Sequence, residues 1–216
     1  MNLSSQHYEY VMSMPEVSRM TCTRIPTDHG DFQLCFYTNT LDDKEHLAFY
    51  MGDIANAGSV LVRVHSECFT GDVMGSRRCD CGEQLDRSMA MVANAGVGVV
   101  LYMRQEGRGI GLLDKLRAYN LQDQGFDTVD ANLMLGHEAD ERDYTLAGLM
   151  LEDLKVASVR LVTNNPAKIS ALEAAGINVA ERVSLEVAAN NDNAGYLLTK
   201  ARRMDHFLPL KPASNQ

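Results

Sequence analysis

SVLVRVHSECFTGDVMGSRRCDCGEQLDRSMAMVANAGVGVVLYM, residues 59–103, decides the fold. Residues 59–65 are rich in valine, which packs well on a pleated surface, and predict a strand. Leu85, Met89 and Val92 recur at helical spacing, and Gly96 supplies a stop. Val97 to Met103 is again an apolar strand. A strand, a helix and a strand in succession point to an α/β domain. Between the first strand and the helix lie three of the five cysteines, Cys68, Cys79 and Cys81.

Upstream, DFQLCFYT (31–38) and EHLAFYM (45–51) alternate and read as strands, while the residues ahead of Ile25 are weakly patterned. Downstream, Ile110 to Gln124 is helical, with Leu112, Leu113, Leu116, Tyr119 and Leu121 over one broad face. Asp140 to Lys155 predicts another helix, Asp140 being its N-cap and Asp143 lying in its first turn. VRLVT (159–163) is a strand. Asn165 caps a helix that begins at Pro166 and ends at Gly176. INVAERVSLEV is extended, and a last helix runs from Asp192 to Phe207. The expected fold is α/β, a mixed β-sheet covered by helices with an antiparallel-rich N-terminal half.

Hydrophobic residues make up 45% of the 216, enough for a packed core over most of the chain. The net charge of −9 excludes a general binder of nucleic acid polymers, which needs a basic surface. It leaves room for a single nucleotide, whose phosphates need only a few local cations. No apolar run approaches the ~18 residues of a membrane helix, and the N-terminus lacks the pattern of a secretion signal. A cytoplasmic location is expected. In a reducing compartment clustered cysteines point to metal or catalysis, and Cys22 and Cys35 read as lone core residues.

Cys68, Cys79 and Cys81 have the spacing C-x10-C-x-C. Thiolates bind zinc, and three protein ligands leave a fourth position for water, the pattern of catalytic sites. His65 is an alternative fourth ligand that would close the site. Its place on the strand, where side chains alternate, directs it to the opposite face. Two strand–helix junctions suit anions. RQEGRGIG (104–111) brings three glycines to a helix start, and TNNPAK (163–168) puts Lys168 in a first turn, where the helix dipole disfavours a cation unless an anion joins it. ADERDY (139–144) sets Asp140 beside Arg142, readable as a proton acceptor with a cation or as a cap with a surface ion pair.

RVHSECFTGD, SRRCDCGEQL, LYMRQEGRGIGLLDKLRAYNLQDQG, DTVDANLMLG, ADERDYTLA and RLVTNNPAKISALEAAGI occur in an order that resembles the GTP cyclohydrolase II family. The resemblance runs from about residue 25 to 205. It implies an N-terminal extension over 1–24, a catalytic domain over 25–208 and a flexible tail over 209–216. The expectation is a stand-alone form, without the dihydroxybutanone phosphate synthase domain that some relatives carry. The resemblance also implies a homodimer, one Zn2+ per subunit and Mg2+ accompanying the triphosphate.

The implied reaction converts GTP and water into formate, pyrophosphate and 2,5-diamino-6-ribosylamino-4(3H)-pyrimidinone 5′-phosphate, the first step of riboflavin biosynthesis. Zinc would sit on Cys68, Cys79 and Cys81. Substrate contacts carried over from the family are Arg63, Val64, His65, Ser66, Glu67, Gln84, Glu106, Gly107, Arg108, Thr128, Thr163 and Lys168. Gln84 suits the guanine edge, because an amide both donates and accepts. The family makes Asp140 a proton acceptor and Arg142 a nucleophile on the α-phosphorus; a guanidinium with pKa above ~12 better suits a phosphate clamp. Tyr119 is linked to complete ring opening, so full deformylation is expected. The competing readings are a paralogue that stops at a formamidopyrimidine nucleotide and a non-catalytic zinc- and GTP-binding sensor.

Overall fold

The computed structural model describes residues 14–208, so the expected tail over 209–216 and the first part of the N-terminal extension lie outside the described residues. Among the described residues seven strands form one sheet in the order β1-β2-β3-β5-β4-β6-β7. β1 (Val17–Thr27), β2 (Gly30–Asn39) and β3 (His46–Met51) form an antiparallel meander, and β3 pairs antiparallel with β5 (Gly98–Met103). β4 (Val60–Ser66), β6 (Ser158–Val162) and β7 (Asn178–Val183) complete the sheet in parallel with β5. This is the mixed α/β sheet with an antiparallel N-terminal half that the sequence pattern predicts.

Among the described residues seven α-helices accompany the sheet: α1 (Phe69–Asp72), α2 (Cys81–Ala95), α3 (Gly111–Gln122), α4 (Thr128–Met134), α5 (Thr145–Asp153), α6 (Pro166–Ala174) and α7 (Ala194–Arg203). β4 shows how sheet and site are joined. Val60, Val62 and Val64 point into the larger core with Met150 and Leu161, while Leu61 joins Val92 and Val100 in the smaller core on the other side. Arg63 and His65 follow Leu61 on that second face, and both are carried by the strand to the site.

Several local expectations need correction. β1 begins at Val17, inside the segment read as an extension. Its residues are almost all exposed and carry no alternating apolar face, so its place in the sheet rests on backbone pairing with β2. That pairing sets Cys22 opposite Cys35, and the two form a disulfide rather than two lone core cysteines. The helix expected from Asp140 begins only at Thr145. The Asp140 carboxylate is taken by Arg142, and a side chain at Gly109 would meet Glu141 Cβ at 2.9 Å, so the 139–144 loop packs flat against that glycine. On α3 the leucines do not form the buried face. Leu112, Leu113 and Leu116 are exposed, and Lys115 and Ala118 point inward. Among the described residues no helix is long and apolar enough to cross a membrane.

Candidate active site

The three cysteines converge because two short turns meet. β4 runs out at Ser66, and Cys68 stands at the N-cap of α1. Cys79 precedes α2 and Cys81 opens it, at the positive end of the helix, which favours thiolate. Cys68 Sγ and Cys79 Sγ are 3.6 Å apart, and the three sulfurs lie within 4.8 Å of one another. A tetrahedral zinc with Zn–S of ~2.3 Å needs sulfurs about 3.8 Å apart, so this trio of soft donors fits zinc. The closeness depends on glycines: a Cβ on Gly82 would fall 2.2 Å from the carbonyl oxygen of Gly71. His65 is not a member of the trio. Its Nε2 faces Asp72 at 3.0 Å, and Asp72 also accepts from Cys68 N and Tyr102 Oη, both at 2.9 Å.

On their own the three thiols do not ionise together. Hydrogen bonds from Cys79 and Cys81, with help from Lys115, hold Cys68 far below the ordinary thiol range. The bond to Cys68 pushes Cys79 up to about 11. A divalent cation relieves such crowding of like charge. Lys115 was not evident in the sequence as a site residue. Its Nζ lies 3.1 Å from Cys68 Sγ and 2.7 Å from Glu106 Oε1. Burial works to discharge Lys115, but Cys68 and Glu106 outweigh it and keep the ammonium. Glu106 also accepts from Phe69 N at 2.6 Å and Gly107 N at 2.8 Å, which ties the 104–111 turn to the cysteine loop.

A second, basic lobe adjoins this one. Arg63, Arg108, Arg142, Lys168 and Lys200 line it, with Asp80 as its lining carboxylate. Arg63 donates to Val162 O at 3.0 Å and to Gln84 Oε1 at 2.6 Å, and its Nε has no partner among the described residues. Arg108 is buried and holds φ of 66°, between Gly107 at 65° and Gly109 at 100°. A left-handed non-glycine residue costs on the order of 1–3 kcal/mol and persists only when its surroundings impose it. Arg108 Nη2 is buried without a hydrogen-bond partner among the described residues. Lys168 Nζ donates to Val64 O at 2.8 Å. Burial, then Arg63, Arg142 and Lys200, hold Lys168 well below the usual lysine range. An anion in the lobe reverses that repulsion and meets the orphan donors.

The two lobes share Ser66, Cys81, Arg108, Arg142 and Tyr196. Of the residues expected at the site, Glu67, Glu106, Gly107, Tyr119 and Thr128 line the cysteine lobe, and Arg63, His65, Gln84, Thr163 and Lys168 line the basic one. Gln84 lines the basic lobe beside Cys81, with its amide engaged by Arg63 and Asp80. The side chain of Val64 is in the core, and only its carbonyl reaches Lys168. Asp140 lines neither lobe; it grips the Arg142 guanidinium, which does. Tyr119 Oη sits 3.4 Å from Thr70 Oγ1, itself 3.7 Å from Cys68 Sγ. Asp80, Tyr196 and Lys200 were not evident in the sequence. Asp80 was hidden between two more conspicuous cysteines, and α7 carries no motif.

The family model for GTP cyclohydrolase II matches residues 18–184. The riboflavin biosynthesis protein RibBA of Mycobacteroides abscessus is 58% identical over 197 residues, covering 89% of this chain and 47% of its own. RibBA of Mycobacterium marinum is 59% identical over 197 residues, with 89% and 46% covered. RibBA of Bacillus cereus is 54% identical over 194 residues, with 90% and 49% covered. The chain thus spans about half the length of the curated relatives it matches. The match takes in the cysteine trio, the 104–111 turn, the Asp140–Arg142 pair and Lys168, and on it the chain belongs to the GTP cyclohydrolase II family.

Proposed function

We propose that the protein hydrolyses GTP to formate, pyrophosphate and 2,5-diamino-6-ribosylamino-4(3H)-pyrimidinone 5′-phosphate, as the first step of riboflavin biosynthesis. The observation that carries this reading is the joining of a three-cysteine lobe to a lobe lined by three arginines and two lysines through shared residues. GTP is itself bipolar, with a base at one end and a polyphosphate at the other. Cys68, Cys79 and Cys81 would hold zinc, which when bound would supply Lewis acidity at the base end of the site.

The chain's own residues divide the remaining work. Arg63, Arg108 and Lys168 neutralise the triphosphate, which enters with Mg2+ on its own oxygens. The Arg142 side chain is 12% exposed, and although burial disfavours its charge, Tyr144 and Asp140 raise its pKa and keep it cationic. A charged guanidinium has no lone pair to offer, so Arg142 acts as a clamp on phosphate oxygens. Asp140 fixes the direction of that clamp through its bond to Nε at 2.7 Å. Tyr119, beside Thr70 at the cysteine lobe, orients the ring-opened intermediate for loss of formate. A homodimer belongs to the same reading, with exposed Leu113 and Leu116 on α3 as apolar surface for a second copy.

The test is incubation with GTP and Mg2+, with and without a zinc chelator, following formate, pyrophosphate and the pyrimidine absorbance. Full activity after verified zinc removal overturns the mechanism. Pyrophosphate without formate assigns the protein to the reaction that stops at a formamidopyrimidine nucleotide. Binding of GTP with no product at all assigns it to a sensor.

A further inference from the structure

The matched family region ends at residue 184, yet the basic lobe is walled by residues beyond it. α7 carries Lys200, which is 9% exposed, and its Nζ donates to Asp80 Oδ1 at 2.7 Å. Asp80 is 3% exposed and sits between Cys79 and Cys81. At its other end the segment is fixed again. Phe207 N donates to Asn164 O at 2.9 Å, on the loop that also carries Thr163 and leads to Lys168. The chain from Ala194 to Leu208 thus crosses the lobe from the cysteine turn to the β6–α6 loop.

Two polar groups on this crossing have capacity to spare. Lys200 offers three N–H donors, and Asp80 is its hydrogen-bond acceptor among the described residues. The Tyr196 ring lies under its ammonium at 4.3 Å. His206 Nε2 is buried, lines the same lobe and has no hydrogen-bond partner among the described residues. An unpartnered imidazole nitrogen, a donor when it carries the ring proton, beside a spare ammonium in a lobe already rich in arginine and lysine suits an anionic acceptor with several oxygens.

We propose that α7 and the turn through Leu208 form a strap that recognises the phosphate chain of the substrate, with Lys200 and His206 as its contacts and Asp80 as the residue that positions Lys200. The proposal rests on the GTP reading for the identity of the substrate, but its chemistry is that of a polyphosphate. It gives a role to a buried lysine that reaches across the lobe to a carboxylate at the metal turn.

The test is calorimetric titration of the zinc-loaded protein with GTP, inorganic pyrophosphate and guanosine. Lys200→Met is expected to weaken GTP and pyrophosphate binding about tenfold or more, the scale of a lost hydrogen bond to a charged group. Guanosine binding and zinc content stay unchanged, and KM for GTP rises more than kcat falls. Lys200→Arg restores binding to within about threefold, because the positive charge is kept. His206→Ala weakens pyrophosphate binding in the same direction. Because Lys200→Met leaves Asp80 buried without its cation, Lys200→Met with Asp80→Asn serves as the folding control and is expected to show the same selective loss.

Unchanged pyrophosphate affinity in all of these variants overturns the strap, as does an equal loss for guanosine. If the natural chain turns over no GTP, yet pyrophosphate binding still falls in Lys200→Met, the strap stands and the GTP reading fails. If it turns over GTP and the variants bind pyrophosphate as the natural chain does, the reverse holds.

Discussion

Replacing Gly71 with alanine tests the metal centre without touching a ligand. The glycine lies in α1 beneath the three sulfurs, and its φ is not in the left-handed region, so alanine adds volume without backbone strain. The new methyl group would stand 3.0 Å from Cys79 Sγ and 3.1 Å from Cys68 Sγ, where ordinary contact begins at 3.4 Å. Each sulfur must therefore retreat by about 0.3–0.4 Å, beyond the ±0.2 Å tolerance of a well-formed metal–ligand distance. A loss of roughly 10–100-fold in zinc affinity is expected, the range seen when groups around a metal site are disturbed. The assay is chelator competition on the reduced protein, with circular dichroism and a denaturation curve as controls for the fold. An alanine variant that binds zinc as tightly as the natural chain, with the same fold, refutes the assignment of the trio as a single zinc centre.

Lys115→Met should cost about 3–5 kcal/mol in a urea unfolding curve, because it strands Glu106 in a site where both partners are about one-tenth exposed; adding Glu106→Gln should recover most of that loss. Tyr119→Phe should keep pyrophosphate release while formate falls about 10²-fold, as expected for removal of a positioned proton-carrying group, and parallel loss of both products would contradict the role given to it. Arg142→Lys should retain measurable pyrophosphate release if the residue clamps phosphate, whereas isolation of a phosphoramidate at Arg142 would establish a covalent role. Burial raises the pKa of Asp80, but Lys200 and Arg63 outweigh it and the net shift is downward. Its stabilising effect is present above the unfolded carboxylate value of ~3.9 and is lost as pH falls through the lower folded value, so the stability difference from Asp80→Asn should shrink only in that acid range.

What the sequence made legible was whatever is encoded locally. β4 announces itself by its valines, α2 by Leu85, Met89 and Val92, and α6 by Asn165, whose side chain accepts from Ala167 N at 2.9 Å as an N-cap should. The cysteine trio was legible because two of its members are neighbours in sequence and the third ends a recognisable strand. The misses are long-range. β1 is held by its register against β2, and Cys22 and Cys35 become partners only through that register. Asp140 has the chemistry of a cap, but a tertiary contact with Gly109 and the pull of Arg142 keep it in a loop. Lys115 looks like a solvated helix residue until the Cys68 loop folds over it, and Lys200 meets Asp80 across 120 positions of sequence.

The alternation on β4 has a consequence for how this segment can vary over evolutionary time. Its odd positions from Leu61 reach the smaller core and then the site, and its even positions fill the larger core. Because the period is two, insertion of a single residue between Val60 and Leu61 would exchange the faces of every residue beyond it. Arg63 and His65 would be driven into hydrocarbon while Val62 and Val64 were turned toward the phosphate lobe. Substitutions in the strand can be sampled one side at a time, but changes of length fail on both sides at once. The strand is therefore a fixed ruler between metal turn and sheet, and variation in chain length among relatives should be found in the loops on either side of it.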